Sequence, residues 1–425
     1  MLRAEGHLRV GAARVSLDPP YSVPMGGYFG GSELLLRRQR DSLCARAAVF
    51  EVGGLRIGVV ALDLVLIPPE LRADVESRPE FQAAGLDAWT VAATHCHTAP
   101  GALATAWPAQ RFGIGSFDPL VRRFIAERSA EALSQAARTL TAAAVAASEA
   151  SPAPGEPPLS YNRKVLGAAV DPSVRVLGAW EPGGFGPPAA GRPLVRLVSH
   201  AAHPTIIPAR LRSASSDFPG VLCRDLDADG SVTLFLNGAS GDIAAGMHRG
   251  EQRDFWERRM ERAGRKLAAL AREALGTARP QARESAVLAW SEGEIFLPPR
   301  RPWNVPLVGR EIALNYPDRV TARCLRIADA ALIFFPGELG SDLGAKICAD
   351  VVSGGSIRTS SLKAAWIVGL ADDYLGYAFS REQHRAGGMS QHLTVYGEEL
   401  GDLLHERLLD IARPISGAVD GAAGP

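Results

Sequence analysis

Long apolar runs, an excess of one charge and paired cysteines are all missing from this sequence. No stretch approaches the roughly 20 apolar residues that cross a bilayer, and the N-terminus has no apolar segment of the kind that a secretory signal needs. Lys plus Arg and Asp plus Glu both number 46, so the formal net charge is zero. We therefore expect no integral membrane segment and no nucleic-acid partner.

Cysteine usage and overall composition indicate an intracellular globular protein. The five cysteines are an odd number and include no CxxC pair, which suits a reducing cytoplasm better than a disulfide framework. A cytoplasmic location is therefore expected. The 425 residues, with 47% hydrophobic and 22% charged residues, are ordinary for a globular protein and sufficient for a large buried core.

Short apolar runs alternate with longer helical stretches along the chain. The runs that predict strands are 45–52, 55–62, 89–93, 194–199, 232–236, 286–296, 323–327, 331–335 and 365–369. The stretches that predict helices are 118–148, 253–275, a segment beginning after Pro336-Gly337, and 397–413. This interleaving predicts an α/β fold of layered mixed sheets flanked by helices. We expect one domain over 1–415 and a disordered tail at 416–425.

The first candidate site is the segment THCHTAPG, which directly follows the apolar run TVAA. Residues i and i+2 of a strand point to the same side, so His95 and His97 are expected to face one cavity. Imidazole nitrogens are good ligands for Zn²⁺. The alternative is that both histidines only cap a strand and its turn.

The second candidate site is SHAAHP at 199–204, which follows the apolar run LVRLV. Two histidine-bearing strand ends in one chain strengthen the prediction of a metal site. His203 is the candidate ligand of this pair, whereas His200 is expected to hydrogen-bond to backbone. Asp217 follows shortly afterwards in the segment SSD.

Three further motifs also follow apolar strands. In NGASGD, Asp242 is placed to orient a ligand histidine, although a plain tight turn explains the motif equally well. In FFPGE, Glu338 is placed to reach a cavity, although a charge at a helix N-terminus is the simpler interpretation. In GLADDYLGY, spacing alone does not predict a ligand role for either tyrosine.

Taken in order, these motifs resemble the neutral/alkaline ceramidase family. The similarity begins at GAARV (11–15) and the MGGY turn, which contains Gly26 and Gly27, and it includes Asn162-Arg163. It then runs through THCHTAPG, HPT, SSDFPG, NGASGD, PGE and GLADDYLGY. The resemblance implies the catalytic fold of that family, in a short divergent member without the C-terminal immunoglobulin-like domain.

Members of that family bind one zinc ion through two histidines, a glutamate and a tyrosine. Carried over by motif, the implied ligands are His95, His203, Glu338 and Tyr377, with Tyr374 as the fallback tyrosine. His97 and Arg163 fall where the family places residues that line the site. Gly26, Gly27, Asp217 and Asp242 are expected to support these ligands or the substrate.

The resemblance implies a zinc-dependent hydrolase that cleaves an amide bond of a small molecule with an activated water. His97 is the candidate general acid/base, Tyr377 a candidate for stabilising the oxyanion, and Arg163 a candidate for positioning the acyl or carboxylate end. Ala244 stands where ceramidases carry a serine implicated in catalysis, which argues against ceramide as the substrate.

Three other functions remain open at this stage. A barrel-type metal-dependent amidohydrolase also uses an HxH motif, although eight regular βα units are not visible. A zinc-dependent esterase or lactonase on the same scaffold is a second alternative, as is an acyl-transfer or cyclising enzyme. A non-catalytic member would use the zinc cavity only to bind a ligand.

Overall fold

The computed structural model describes the chain apart from residues 29–33, 166, 167, 169, 183–190, 247–254, 279–285, 303–308, 355–359, 388–391, 393 and 418–425. The expected tail at 416–425 lies mostly outside the described residues. Its first residue, Ser416, is the last residue of a helix, and Gly417 forms a single β-bridge with Ser360.

The described strands are short and, in the large sheets, mostly buried. In chain order they are β1 (Leu2–Gly6), β2 (Leu8–Ser16), β3 (Arg38–Gln39), β4 (Cys44–Val52), β5 (Leu55–Leu62), β6 (Ala88–Ala93), β7 (Thr141–Ala142), β8 (Ala144–Ala150), β9 (Ser160–Asn162), β10 (Val174–Trp180), β11 (Pro193–His200), β12 (Ser213–Ala214), β13 (Val232–Asn237), β14 (Ile243–Ala245), β15 (Ala286–Phe296), β16 (Arg319–Ile327), β17 (Ala330–Phe334), β18 (Glu338–Leu339), β19 (Ala364–Val368) and β20 (Tyr377–Ala378).

The described helices lie between these strands. They are α1 (Pro69–Glu76), α2 (Pro79–Ala84), α3 (Trp107–Ala109), α4 (Pro119–Arg138), α5 (Asp217–Leu226), α6 (Trp256–Thr277), α7 (Gly309–Leu314), α8 (Ser341–Ser353), α9 (Arg381–Arg385) and α10 (Leu400–Ser416). None of the described helices combines the length and the apolar character that a membrane crossing requires.

Three open sheets form the frame, and each has a parallel pair of strands at one edge. The first sheet has the order β6-β5-β4-β2-β7, the second β13-β11-β10-β8, and the third β1-β15-β16-β17-β19. The parallel pairs are β5 with β6, β11 with β13, and β17 with β19. The described strands form no closed barrel, so the barrel-type amidohydrolase is excluded and the predicted α/β class is confirmed.

The inner faces of the three sheets share one apolar core. Phe50 and Val59 of the first sheet, Leu197 of the second, and Leu332 and Phe334 of the third belong to the same buried cluster. The outer face of each sheet is covered by helices: α4 packs on the first, α6 on the second, and α8 and α10 on the third. Burial on both faces explains why these strands read as continuous apolar runs.

One predicted element is wrong in type. The sequence predicts a helix over 118–148, but α4 ends at Arg138 and the chain then forms β7 and β8. The segment after Arg138 is rich in alanine, which favours a helix in isolation. Here β8 pairs with β10 along seven residue pairs, and this tertiary pairing overrides the local preference.

The carboxyl ends of the three parallel pairs meet at one place. Asn237, the last residue of β13, donates its side-chain amide to the carbonyl oxygens of Thr94 (3.2 Å) and Ala202 (3.0 Å). Its own carbonyl oxygen accepts from the backbone N–H of Gly369 at 2.9 Å. Because Asn237 connects the ends of β6, β11 and β19, the loops that follow these strands converge on one site.

Candidate metal and active site

His95 lies two residues beyond the end of β6, outside the strand itself. Its φ angle is +69°, a left-handed conformation that is uncommon outside glycine. The ring is buried, and its Nδ1 lies 2.6 Å from the carbonyl oxygen of Val65. The rings of His95 and His97 lie together, as predicted, although His95 lies beyond the end of the strand and has a left-handed backbone conformation. Backbone strain of this kind is typical of functional sites.

His97 lies against His95 on one side and Tyr28 on the other. The Nε2 atoms of the two histidines are 3.3 Å apart, and the Tyr28 ring makes an edge contact with His97 at 5.2 Å between centroids. Burial, followed by the proximity of His95 and His203, holds the pKa of His97 well below its usual range. His97 is therefore a neutral imidazole, and its buried Nδ1 has no hydrogen-bond partner.

Gly27 is in close contact with the His97 ring. A Cβ at position 27 would lie 2.5 Å from His97 Nδ1 and 2.7 Å from Val65 Cγ2, and φ is +88°. We expect Gly27→Ala to displace His97 and to lower kcat by about tenfold or more, since small displacements of catalytic groups are costly.

Gly54→Ala is the matched control for this substitution. Gly54 has the same φ of +88°, but a Cβ there would meet nothing within 4 Å. Steady-state kinetics and thermal unfolding of both variants separate displacement of His97 from backbone strain. Equal losses of activity in the two variants would contradict a role for the contact with His97.

His203 follows β11 and is fixed by the neighbouring strand β14. Its backbone N–H donates to the carbonyl oxygen of Ile243 at 3.1 Å, and its ring Nδ1 lies 2.9 Å from the same oxygen. The ring centroids of His95 and His203 are 4.5 Å apart. His200 lies apart from this cluster with its Nδ1 3.1 Å from the carbonyl oxygen of Ser173, which confirms the predicted backbone contact.

Glu338 and Tyr377 are brought side by side by a short parallel ladder. Strands β18 and β20 pair with Glu338 opposite Tyr377. The phenol of Tyr374 donates to Glu338 Oε1 at 2.7 Å. Glu338 Oε2 is left facing the histidines, 2.9 Å from His203 Nε2 and 3.4 Å from His95 Nε2. The carboxylate, the imidazoles and a phenol predicted as ligands therefore lie at one place.

The hydrogen bonds of these side chains leave one carboxylate oxygen of Glu338 without a donor. Each of His95 and His203 has Nδ1 against a carbonyl oxygen, and the neutral ring of His203 therefore carries its proton on Nδ1 and presents Nε2 as an acceptor. Burial and the adjacent Arg163 lower the pKa of His203 to about 4, so its ring is neutral at pH 7. The Nε2 atoms of His95 and His203 thus lie beside Glu338 Oε2, which has no hydrogen-bond donor, whereas His203 Nε2 accepts from Arg163.

Arg163 lies beside the ligand atoms and is held by the loop after β13. Its backbone N–H donates to the carbonyl oxygen of Asp242 at 2.8 Å. One guanidinium nitrogen lies 2.8 Å from His203 Nε2, 3.1 Å from the Tyr377 hydroxyl and 3.0 Å from the carbonyl oxygen of Gly241. The Tyr377 hydroxyl is 3.5 Å from His203 Nε2. Arg163 thus contacts two of the candidate ligands.

The two aspartates expected near the site organise its loops. Asp242 is fully buried and contacts no histidine among the described residues; it accepts hydrogen bonds from Asn162, Ser341 and Gln383. Backbone carbonyl oxygens orient both histidines instead. Asp217 accepts from the backbone N–H groups of residues 206 and 207, at 3.0 Å each, and so fixes the loop after His203.

A cavity of about 510 Å³ opens onto this cluster. Its floor includes His95, His97 and Glu338, together with Tyr374 and Tyr377. Its walls are largely apolar and include Leu66, Pro69, Phe112, Ile114, Ile312 and Tyr316. The size and the contrast between apolar walls and a polar floor are typical of a small-molecule site.

No described serine lines this cavity. Ala244, at the position of the family serine, lies in β14 and forms a β-bridge with His203. Gly26 packs against Val65, where a Cβ would lie 2.8 Å from Cγ1.

The sequence did not predict the contacts of Tyr28 or the carbonyl oxygens that orient the histidines. Backbone acceptors leave no trace in residue identity, whereas the MGGY turn had marked the region of Tyr28.

The histidine cluster is able to hold a metal ion. The candidate ligand atoms of His95, His97 and His203 all lie within 4.8 Å of one another. Glu338 Oε2 adds a buried carboxylate oxygen beside two of these rings. Imidazole and carboxylate donors in a closed pocket are a normal ligand set for zinc.

Comparison with solved structures finds neutral ceramidases. The crystal structure analysis of neutral ceramidase from Pseudomonas aeruginosa matches with a TM-score of 0.78 at 18% identity, over 99% of this chain and 76% of that one. A structure described as ceramidase complexed with C2 matches with a TM-score of 0.79 at 17% identity, over 99% and 77%. No protein-family model and no curated protein matches the sequence. The chain therefore folds as a ceramidase-like domain.

Proposed function

We propose that this protein is a zinc-dependent hydrolase that cleaves an amide (N-acyl) bond of a small molecule with an activated water. The observation that carries the proposal is the buried Glu338 Oε2, which lies beside the Nε2 atoms of His95 and His203 and has no hydrogen-bond donor. A divalent cation held by these residues would supply the missing partner of this buried oxygen. The ceramidase-like fold supports amide hydrolysis as the reaction class.

The ligands that we propose are His95, His203, Glu338 and Tyr377. The bond from Tyr374 to Glu338 Oε1 supports this set, because it fixes the carboxylate and leaves the second oxygen for the metal. This assignment gives Tyr377, not Tyr374, the ligand role. A set of His95, His97 and His203 is the competing arrangement for the same ion.

Zinc bound there would polarise the scissile carbonyl and lower the pKa of a water toward about 7. Residues of this chain would transfer the protons and stabilise the developing charge. Neutral His97, with an unpartnered Nδ1 and its Nε2 beside His95, is placed to take a proton from water and return it to the leaving amine. Arg163, beside Tyr377, would stabilise negative charge that develops on the carbonyl oxygen.

Water as the nucleophile fits the absence of a serine from the described cavity wall. A hydroxyl nucleophile would need a serine or threonine with its oxygen beside a base. Thr105 lines the cavity, but its hydroxyl donates to Glu70 at 2.7 Å and is not near His97 in any described hydrogen bond. The chemistry is therefore assigned to water, His97 and the metal ligands.

The test is a panel of N-acyl amides, N-acyl amino acids, esters and lactones, assayed with apo and zinc-loaded protein. We expect the zinc-loaded protein to hydrolyse amides, chelation to abolish turnover, and added zinc to restore it. Turnover of esters or lactones alone would identify an esterase or lactonase on the same scaffold. Binding without turnover of any compound by fully loaded protein would overturn the hydrolase and favour a ligand-binding member.

A further inference from the structure

Two adjacent carboxylates follow β19, and they have opposite surroundings. Asp372 is buried and fully partnered: it pairs with Arg72 at 3.2 Å and Arg323 at 3.1 Å, and it accepts from the Thr90 hydroxyl at 2.7 Å. Both arginines near this position therefore form their ion pairs with Asp372 and not with Asp373. Asp373, the next residue, faces the cavity of the candidate site instead.

Asp373 has no cationic partner among the described residues. One carboxylate oxygen, Oδ1, accepts from the backbone N–H of Tyr374 at 2.6 Å, which fixes the side chain, and no described donor contacts Oδ2. Burial, with smaller contributions from Asp372 and Glu70, raises the pKa of Asp373 to about 6. A cationic group in the cavity would therefore supply the partner that this carboxylate lacks.

The described residues that form the rest of the cavity also carry no basic side chain except histidine. No lysine or arginine is present among the described residues that line it, and its second acid outside the ligand cluster is Glu70. Glu70 is partly neutralised, since it accepts from Thr105 at 2.7 Å and lies 3.6 Å from Arg122. Asp373 is therefore the least compensated charge on the wall. Arg163, the cation expected to hold a substrate carboxylate, is engaged by His203 and Tyr377.

A second observation marks the same cavity as a ligand site. Glu338 Oε2 and His97 Nδ1 are buried polar atoms without partners, and both residues line it. Asp373 is connected to this cluster through Tyr374, whose hydroxyl donates to Glu338. A molecule that reaches the cluster therefore passes within the same apolar chamber as the Asp373 carboxylate.

We propose that Asp373 is a specificity residue that binds a positively charged nitrogen of the substrate, so that the amide cleaved carries an ammonium or guanidinium group. The inference rests on the proposed function, whose substrate class it defines. A cation in this chamber would pair with Asp373 across a medium of low polarity, where a charge-assisted hydrogen bond is strong. The apolar walls would hold the hydrocarbon between that nitrogen and the scissile amide.

The experiment compares N-hexanoyl amides whose amine part is a short alkyl chain ending in an ammonium, a methyl or a carboxylate group. With zinc-loaded wild type, we expect kcat/KM for the ammonium compound to exceed that for the methyl compound by about tenfold or more. The carboxylate compound should be the poorest substrate. In Asp373→Asn the ammonium preference should fall to about twofold or less, mainly through KM, with zinc content unchanged.

The matched control is Asp225→Asn, which removes the same charge from a surface pair with Arg272 that does not line the cavity. It should keep the wild-type preference. Equal turnover of the three compounds by wild type, or an ammonium preference that survives in Asp373→Asn, would overturn the inference while leaving amide hydrolysis intact.

If no amide is hydrolysed, the proposed function fails. Calorimetric binding of the same compounds to the zinc-loaded protein then tests whether Asp373 binds a positively charged nitrogen. Tighter binding of the ammonium compound that is lost in Asp373→Asn would support the assignment. Indifference to the terminal charge would reject it.

Discussion

Glu338→Gln is expected to weaken zinc binding by more than about 100-fold, beyond the 10–100-fold typical of residues that only support a ligand. The substitution removes the anionic oxygen that faces His95 and His203 and replaces it with an amide. The apo protein should remain folded, because the amide matches the carboxylate in size and its oxygen can still accept from Tyr374. Isothermal calorimetry with zinc and thermal unfolding of the apo protein measure the two effects.

Glu70→Gln is the matched control, since Glu70 lines the same cavity but contacts Thr105 and Arg122 rather than the histidines. Its zinc affinity should equal that of the wild type. Full zinc affinity in Glu338→Gln would remove the carboxylate from the ligand set and with it the main support for the proposed site.

His97→Ala is expected to retain zinc and to lose about two or more orders of magnitude in kcat. His97 contacts His95 through Nε2 and is neutral, which suits a proton carrier beside the metal. The competing ligand set of three histidines makes the opposite prediction, because there His97 binds the ion. Metal analysis after gel filtration, together with kinetics, separates the two arrangements.

His384→Ala provides the control for the loss of an imidazole elsewhere in the chain. His384 lies on α9, outside the described cavity wall, and its removal should leave both zinc content and kcat unchanged. Loss of zinc in His97→Ala would assign His97 to the metal, and near-normal turnover would exclude it as the acid/base.

Strands with two buried faces were the part of the fold that the sequence predicted best. The run 55–62 has the same bounds as β5, because an apolar run flanked by turns marks such a strand at both ends. The short ladders β9–β14 and β18–β20 were not predicted. Their two or three residues carry no periodicity, and they form because the large sheets bring their loops together.

The candidate site was predicted through side chains that carry chemistry, and its arrangement was not. His95, His203 and Glu338 stand out as polar residues after apolar strands, and the structure places them within hydrogen-bonding distance or slightly beyond. His95 has a left-handed backbone conformation, and backbone carbonyl oxygens contact Nδ1 of both His95 and His203. Both features depend on the path of the backbone, which residue types do not reveal. The role proposed for Asp373 was not predicted, because it depends on the ion pairs of the neighbouring Asp372 with Arg72 and Arg323. The sequence does not show which of the two carboxylates the arginines contact.

The most direct test of the account is an anomalous X-ray map, recorded at the zinc absorption edge from crystals grown with zinc. The expected result is one peak within about 2.0–2.2 Å of a nitrogen of His95, a nitrogen of His203 and Oε2 of Glu338, with the Tyr377 hydroxyl as the fourth ligand. The absence of a peak there, or a peak bound by histidines while Glu338 points away, would contradict the account.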